Sequence, residues 1–350
     1  TSVLTPQEAD RLFETLRRLA GEGRTILYIS HKLEEIRALC DRATVLRQGR
    51  VVAACDPRAE SARSLAEMMI GSELRTPQHH AGAKAGPVRL AVHHLSLASP
   101  DPFGTDLKGV SFAVKAGEVF GIAGVAGNGQ AELLSALSGE RLTEPWAIEI
   151  DGKPVGDRGP NGRRDHGLAF VPEERLGRGA VPEMTLAENT VLSGWRRQRM
   201  RRSGLVDYAR ARLQAEAIIA RFKVAATGPG AEARSLSGGN LQKFIIGREM
   251  AQRPGLLIAA APTWGVDAGA AAAIHQALLD LAEQGAAVLL VSQDLDELFA
   301  VCDRIAVLFH GRLSTPRSTR ETTVEQVGLL MGGMFDAAEG TKKAGHVAQA

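Results

Sequence analysis

Two stretches of this sequence bring together residue types that hold phosphate. In GVAGNGQAEL (Gly124 to Leu133), the spacing of Gly124, Gly127 and Gly129 lets backbone N–H groups, that of Asn128 among them, converge on an anion at the start of a helix. A loop of this kind that binds nucleotide and metal continues with a lysine for the phosphates and then a serine or threonine for magnesium. Here Gln130 and Ala131 stand in those places. In LSGGNLQK (Leu236 to Lys243), the hydroxyl of Ser237 and the N–H groups of Gly238 and Gly239, followed by Asn240, stand at another helix start. Taken alone, the first pattern also fits a dinucleotide-binding turn or tight packing of a strand on a helix.

The elements around these stretches alternate. Glu118 to Ala123 reads as a short apolar strand that runs into the glycine loop, and Gln130 to Leu137 opens a helix. A helix-rich insert follows: TLAE (Thr185 to Glu188) predicts a capping box, and Val206, Ala209, Leu213, Ala217 and Ala220 predict the apolar face of a second helix. LSGGN precedes a further helix, Pro254-Gly255 turns the chain into a strand from Leu256 to Ala260, and Ala287 to Val291 is another strand. The pattern predicts an α/β domain with a mostly parallel sheet and an inserted helical subdomain.

With 350 residues, 44% of them hydrophobic, and a formal charge of +2, the chain can build two domain-sized cores or one large one, and it is neither disordered nor strongly basic. Its longest apolar runs, such as LLIAAA (Leu256 to Ala261), are strand length, far short of the roughly 20 residues that span a bilayer. Cys40, Cys55 and Cys302 have neither metal-ligand spacing nor a secreted disulfide pattern, which predicts core thiols in a reducing cytoplasm and no metal site. The run WRRQRMRR (Trp195 to Arg202) is read as a solvated helix end and not as a nucleic-acid surface.

The sequence also repeats itself. TILYISHKLEEIRALCDRATVLRQGRVV (Thr25 to Val52) aligns without a gap on AVLLVSQDLDELFAVCDRIAVLFHGRLS (Ala287 to Ser314), an offset of 262 residues that still matches Met69 and Gly71 with Met331 and Gly333. Two copies of one unit are expected, the first beginning at Thr1, the equivalent of Thr263. The expected divisions are residues 1–74 for the remnant of the first copy, 75–87 for an exposed linker, 88–335 for the second copy and 336–350 for a frayed tail.

LSGGNLQK, followed by an apolar strand ending in PT-x-G-x-D (Pro262 to Asp267), resembles the signature, Walker B and D-loop order of ABC-type ATPases. GLAFVPEER (Gly167 to Arg175) lies where such domains keep their Q-loop, and YISHKLEE (Tyr28 to Glu35) looks like the switch-histidine segment. The resemblance covers the chain from Thr1 to about Phe335. It is strongest to ATP-binding subunits of nucleoside importers with two fused nucleotide-binding domains, with ribose- and galactose-type sugar importers as near relatives.

This resemblance implies a P-loop NTPase-like core and an energy-coupling function, with ATP and Mg2+ at a site completed by first-domain Walker motifs. It implies membrane permease subunits as partners and, through them, a solute-binding protein, with no nucleic acid, and a peripheral place on the cytoplasmic face of the inner membrane. Such domains pair head to tail, so Ser237, Gly238, Gly239 and Asn240 would serve the ATP of the first half, with His31 as the catalytic switch.

The second half's own nucleotide-binding set would be Gly124, Gly127, Asn128, Gly129, Gln130, Ala131, Glu173, Asp267 and Gln293, none of them a metal ligand. It is a stripped set. Gln130 replaces the lysine, Ala131 the hydroxyl, Ala260 and Ala261 the Walker B aspartate and glutamate, Gln293 the histidine and Glu173 the usual glutamine. Losing a general base alone removes roughly a hundred- to ten-thousand-fold in rate, so the chain by itself is expected not to hydrolyse ATP. Trp264, where relatives carry arginine, is expected to anchor an interface. The alternatives are a simple-sugar import ATPase, a soluble tandem protein of the translation-factor type and a non-catalytic interaction module.

Overall fold

The computed structural model describes residues 6–30, 33–47, 49–70, 86–202 and 204–335. Its centre is a seven-stranded sheet. Four neighbouring pairs run parallel: Leu168–Val171 beside Leu256–Ala260, then Ala287–Ser292, Val119–Ala123 and Arg304–Phe309. Arg312–Leu313 and Arg317–Ser318 add short antiparallel edges. The central strands are apolar at nearly every position because both faces of the sheet are covered.

Alternate side chains divide between those faces. Phe120, Ile122, Ile258 and Leu289 join Leu133 and Leu137 of the helix Gln130–Ser138, together with a four-stranded antiparallel sheet that contributes Leu90, Val92 and Ile150. That second sheet (Val88–Leu97, Leu107–Lys115, Ile148–Ile150 and Lys153–Pro154) was not anticipated above, although VRLAVHHLSL and LKGVSFAVK carry signs of its two-residue alternation. On the other face, Val119, Leu257, Ala259 and Val288 meet Phe244, Ile245, Ile274 and Leu278. Phe244 and Ile245 come from the helix Gly238–Met250, and each buried side chain of this size contributes about 1.5 to 3 kcal/mol. The helix is therefore fixed by its middle, and its start is left at the surface.

The helical insert consists of Leu186–Gly194 and Tyr208–Arg221 packed with Gly238–Met250. The capping box forms as read: Glu188 N–H donates to Thr185 Oγ1 at 3.2 Å, and Thr185 N–H to Glu188 Oε2 at 2.8 Å. The face of the second helix is a correction. Ala211, Ala215 and Ile218 are buried, whereas Leu213 is 66% exposed and Val206, Ala209, Ala217 and Ala220 also face outward. Two alanine-rich stripes interleave on this helix, and the one facing Leu186–Gly194 and Gly238–Met250 is the one that packs.

Two buried charge arrangements tie the helix Gly238–Met250 and the glycine-loop helix to the short helix Pro160–Asp165. Glu249, fully buried near the end of Gly238–Met250, accepts from Arg164 Nη1 at 2.7 Å and Arg248 Nε at 2.9 Å. Burial would raise its carboxyl, but Arg248 and Arg164 outweigh that and hold it below its ordinary value. Arg163, also fully buried, donates to the carbonyls of Ala136, Gly156 and Arg158, and burial pulls its pKa down to about 10.

The helices and strands of the first 70 residues stand in register with those from Ala268 to Met331. Pro6–Gly21, Leu33–Leu39, Ala43–Arg47, Arg50–Cys55 and Ala62–Ile70 precede Ala268–Glu283, Leu295–Val301, Arg304–Phe309, Arg312–Leu313 and Val324–Met331 at the same offset. One strand is missing from this correspondence. Residues 24–30 form no strand, and Leu27 and Ile29 are 88% and 89% exposed, whereas their equivalents Leu289 and Val291 are buried between two flanking strands.

Most of the expected linker and all of the expected tail lie outside the described residues. The last two linker residues are already part of the fold. Gly86 N–H donates to the Ala116 carbonyl at 2.9 Å and Ala116 N–H to the Pro87 carbonyl at 2.8 Å. Of the three thiols, only Cys302 is a buried core residue, and Cys40 and Cys55 are half-buried. The basic run is bound into the surface: Arg196 pairs with Asp165 at 3.1 Å, both Arg196 and Arg201 lie over the Trp195 ring, and Met200 is fully buried.

Candidate functional site

The strand Val119–Ala123 delivers the chain into the glycine loop, where two positions require glycine. A Cβ on Gly124 would stand 2.6 Å from the Leu308 carbonyl, and Gly129 has φ 107°. Gln130 turns back into the loop it follows. Its Nε2 donates to the Val125 carbonyl at 2.8 Å, and its Oε1 accepts the Asn128 N–H at 3.0 Å. Asn128 is bound further, its Nδ2 donating to Val125 O at 2.9 Å and its Oδ1 accepting from His310 N–H at 2.9 Å. Thr105 Oγ1 donates to the Gly127 carbonyl at 2.6 Å. The Asn128 N–H that a phosphate would use is thus already satisfied from within the chain.

The neighbouring positions offer no metal ligand. Ala131 is an exposed methyl group, Ala260 is buried, and Ala261 sits at φ 41°, a left-handed conformation that costs an L-residue roughly 1 to 2 kcal/mol. These residues do not fit Mg2+, which takes oxygen ligands. Among the described residues, no group of three or more His, Cys, Asp or Glu side chains could hold a metal.

The signature region is built the opposite way. Ser237 is the N-cap of Gly238–Met250, but its hydroxyl caps no N–H of that helix and instead accepts from Asn240 Nδ2 at 2.9 Å. Asn240 Oδ1 in turn accepts from Ala225 N–H at 2.9 Å, tying the helix start to the end of the preceding helix. The N–H groups of Gly238, Gly239 and Asn240 find no acceptor among the described residues, as the first turn of a helix dictates. Ser237 and Gly238 are exposed. This helix start carries free donors and a partial positive charge, and it fits a phosphate.

A cavity of about 560 Å³ joins the two regions, lined among others by Ala131, Glu173, Arg175, Gly238 and Trp264. The structure therefore brings Ala131, Glu173 and Gly238 together. Asp267 and Gln293 do not line this cavity. Asp267 caps the helix Ala268–Glu283 by accepting from Ala270 N–H at 2.9 Å, and Gln293 has a buried Oε1 without a partner. His31 lies outside the described residues. Trp264 is 51% exposed at the cavity's rim.

Sequence reasoning missed Arg175, which the structure sets against the start of the signature helix. Its Nε donates to Gln242 Oε1 at 3.1 Å. Its other nitrogens lie in the space left by two glycines: a Cβ on Gly238 would be 2.6 Å from Nη1 and one on Gly265 3.6 Å from Nη2. Burial pulls its pKa below the ordinary value. The available signal was an arginine two residues after the Q-loop position.

Residues 107–263 match the family model for the ABC transporter domain. The chain is 40% identical to the glucose import ATP-binding protein TsgD13 of Haloferax volcanii, over 96% of this chain and 62% of that protein. It is 38% identical to the nucleoside import ATP-binding protein NupA of Lactococcus lactis, over 95% and 66%. The ribose import ATP-binding protein RbsA of Halalkalibacterium halodurans is 36% identical, over 89% and 61%. The chain thus spans a little under two thirds of the length of these relatives. In fold it is similar to a dimeric ATP-binding cassette solved in a post-hydrolysis state with ADP and Pi, with a TM-score of 0.57 and 22% identity over 67% of this chain and all of that one. The chain is thus homologous to the ATP-binding proteins of sugar and nucleoside import, and residues 107–263 are the part that matches the ABC transporter model.

Proposed function

We propose that this chain belongs to the energy-coupling ATP-binding subunit of a nucleoside importer, in which it lends its signature to a nucleotide held by another Walker loop and does not hydrolyse ATP at its own. The observation that carries this reading is the contrast between two helix starts. The glycine loop is closed by Gln130, and the signature helix leaves its first N–H groups open. Removing one well-placed oxyanion-type donor from such a site costs roughly a hundred- to a thousand-fold in rate, so the open donors are where the function is vulnerable. The nucleotide would lie between Ser237, Gly238, Gly239 and Asn240 of this half and the Walker motifs of the other, with His31 as the switch on that side. Residues 1–74 and 88–335 would be portions of the two nucleotide-binding halves. The cytoplasmic face of the membrane, permease subunits and a solute-binding protein belong to the same proposal. Among the described residues no helix is long and apolar enough to cross a membrane.

A sugar importer is the second reading, favoured by the 40% identity to the glucose import protein. The test of the division of labour is steady-state ATP hydrolysis by the subunit assembled with its permease. Ser237→Arg, which puts a bulky cation where the phosphate meets the helix start, should abolish it. Gln130→Lys should leave turnover within about twofold, because Ala131, Ala260 and Ala261 still supply neither metal ligand nor base. A severalfold rise with Gln130→Lys, or full activity with Ser237→Arg, would reverse the roles of the two sites.

A further inference from the structure

We infer that Arg175 is part of the phosphate-binding surface of the signature, where its guanidinium supplies the full positive charge that Ser237, Gly238 and Gly239 lack. The phosphate is the terminal group of a polyphosphate presented from outside this chain. The inference rests on the reading of the signature given above and adds a residue to it.

The charge balance carries the argument. A helix start bears about half a positive charge, and a guanidinium has been placed against it with Nη1 where a Gly238 Cβ would otherwise lie. Among the described residues no acid offsets this. Glu173 and Glu174 line the same cavity, yet neither forms an ion pair with Arg175, and burial is what moves its pKa. Two positive groups facing one another at a half-buried site repel unless an anion comes between them.

The placement is also held from behind. Gln242 is 1% exposed, its Oε1 accepts from Arg175 Nε, and its own Nε2 has no partner. A buried amide with one half unpaired costs free energy. Here it fixes the long side chain in one orientation, so that little rotamer freedom remains to be lost on binding. Gly238 on the signature and Gly265 on the turn after Trp264 leave the guanidinium its room, so an anion here would meet three segments of the chain at once. Such a group would accept from helix N–H donors on one side and from a planar fork on the other, the arrangement in which charge-assisted bonds are strongest.

Tripolyphosphate titrated into the 350-residue chain and followed by calorimetry tests this. The parent should bind, Arg175→Gln should weaken binding about tenfold or more, and Arg175→Lys, which keeps the charge but loses the fork and the bond to Gln242, should bind between the two and keep the parent's salt dependence. Thermal melting of each variant separates this from loss of the fold. Ser237→Glu, which places a carboxylate at the helix start, reports on the signature itself and should abolish binding. If Ser237→Glu abolishes binding while Arg175→Gln binds like the parent, the role of Arg175 is wrong and the signature reading stands. If Ser237→Glu binds like the parent, the signature reading fails as well. No heat from the parent at millimolar tripolyphosphate, or Arg175→Lys as weak as Arg175→Gln in a folded chain, also overturns the inference.

Discussion

Gln130 closes the glycine loop onto Val125, its Nε2 lying 2.8 Å from the Val125 carbonyl while its Oε1 holds the Asn128 N–H at 3.0 Å. The side chain that follows the loop does inside it what a phosphate does in a nucleotide-binding loop. It gives the Asn128 N–H something to donate to.

From this, Gln130→Ala should destabilise the chain by about 1 to 3 kcal/mol, the net worth of two hydrogen bonds. Thermal or urea unfolding measures it. The loss should be concentrated in the loop, so amide exchange at Asn128 should rise before exchange at Phe120 or Ile122 in the strand below.

The buried carboxylate of Glu249 gives a larger effect. Removing it in Glu249→Ala strands Arg248 and Arg164, and breaking a buried pair in this way costs about 3 to 5 kcal/mol. Denaturant unfolding of the variant should report a loss of that size.

Acid should reach the same network. The folded-state pKa of Glu249 is below its ordinary value, so the group stabilises the fold at neutral pH, and that contribution fades as the pH falls through the ordinary carboxylate range and below. The parent's melting temperature should drop over that interval more steeply than that of Glu249→Gln.

Cysteine labelling should be ordered by burial. Cys302 is buried, and burial first, then Glu297 and Asp303, push its thiol well above the ordinary value, so it presents neither access nor thiolate. Maleimide should modify Cys40 and Cys55 in the native chain at neutral pH and reach Cys302 only after unfolding. Mass spectrometry of the labelled peptides decides it.

Ala261 is the last case. At φ 41° it holds a conformation that suits glycine, so Ala261→Gly should be neutral or stabilising by up to about 1 kcal/mol. Ala261→Glu should restore no hydrolysis in the chain alone, because Gln130 still occupies the loop. A phosphate-release assay checks this.

The parallel core was legible because its strands are apolar throughout and separated by turn chemistry, as at Pro254-Gly255 before Leu256. The signature could be placed at a helix start because serine followed by two glycines has few other uses in that position. The packed face of Tyr208–Arg221 could not be read, since alanines at 211 and 215 carry no more hydrophobic weight than those at 209 and 217, and only the neighbouring helices choose between them. Gln130 reads as the replacement of a lysine, yet no spacing rule says that an amide there will fold inward and bond two loop atoms. Arg175 escaped for a related reason: its partners Gly238, Gln242 and Gly265 are far off in sequence, and only the tertiary fold brings them together.

Phe244, Ile245 and the ionic clamp at Glu249 hold the inner part of the helix Gly238–Met250, so its first turns are the free arm of a lever. At 1.5 Å per residue the arm from Phe244 to Ser237 is about 10 Å, so a tilt of about 5° about the packed middle carries Ser237 through about 0.9 Å. That travel exceeds the whole working range of an N–H···O bond. Small rotations of the helical insert are thereby geared up into making or breaking every donor contact at the far tip, while the fulcrum stays sealed in the protein interior.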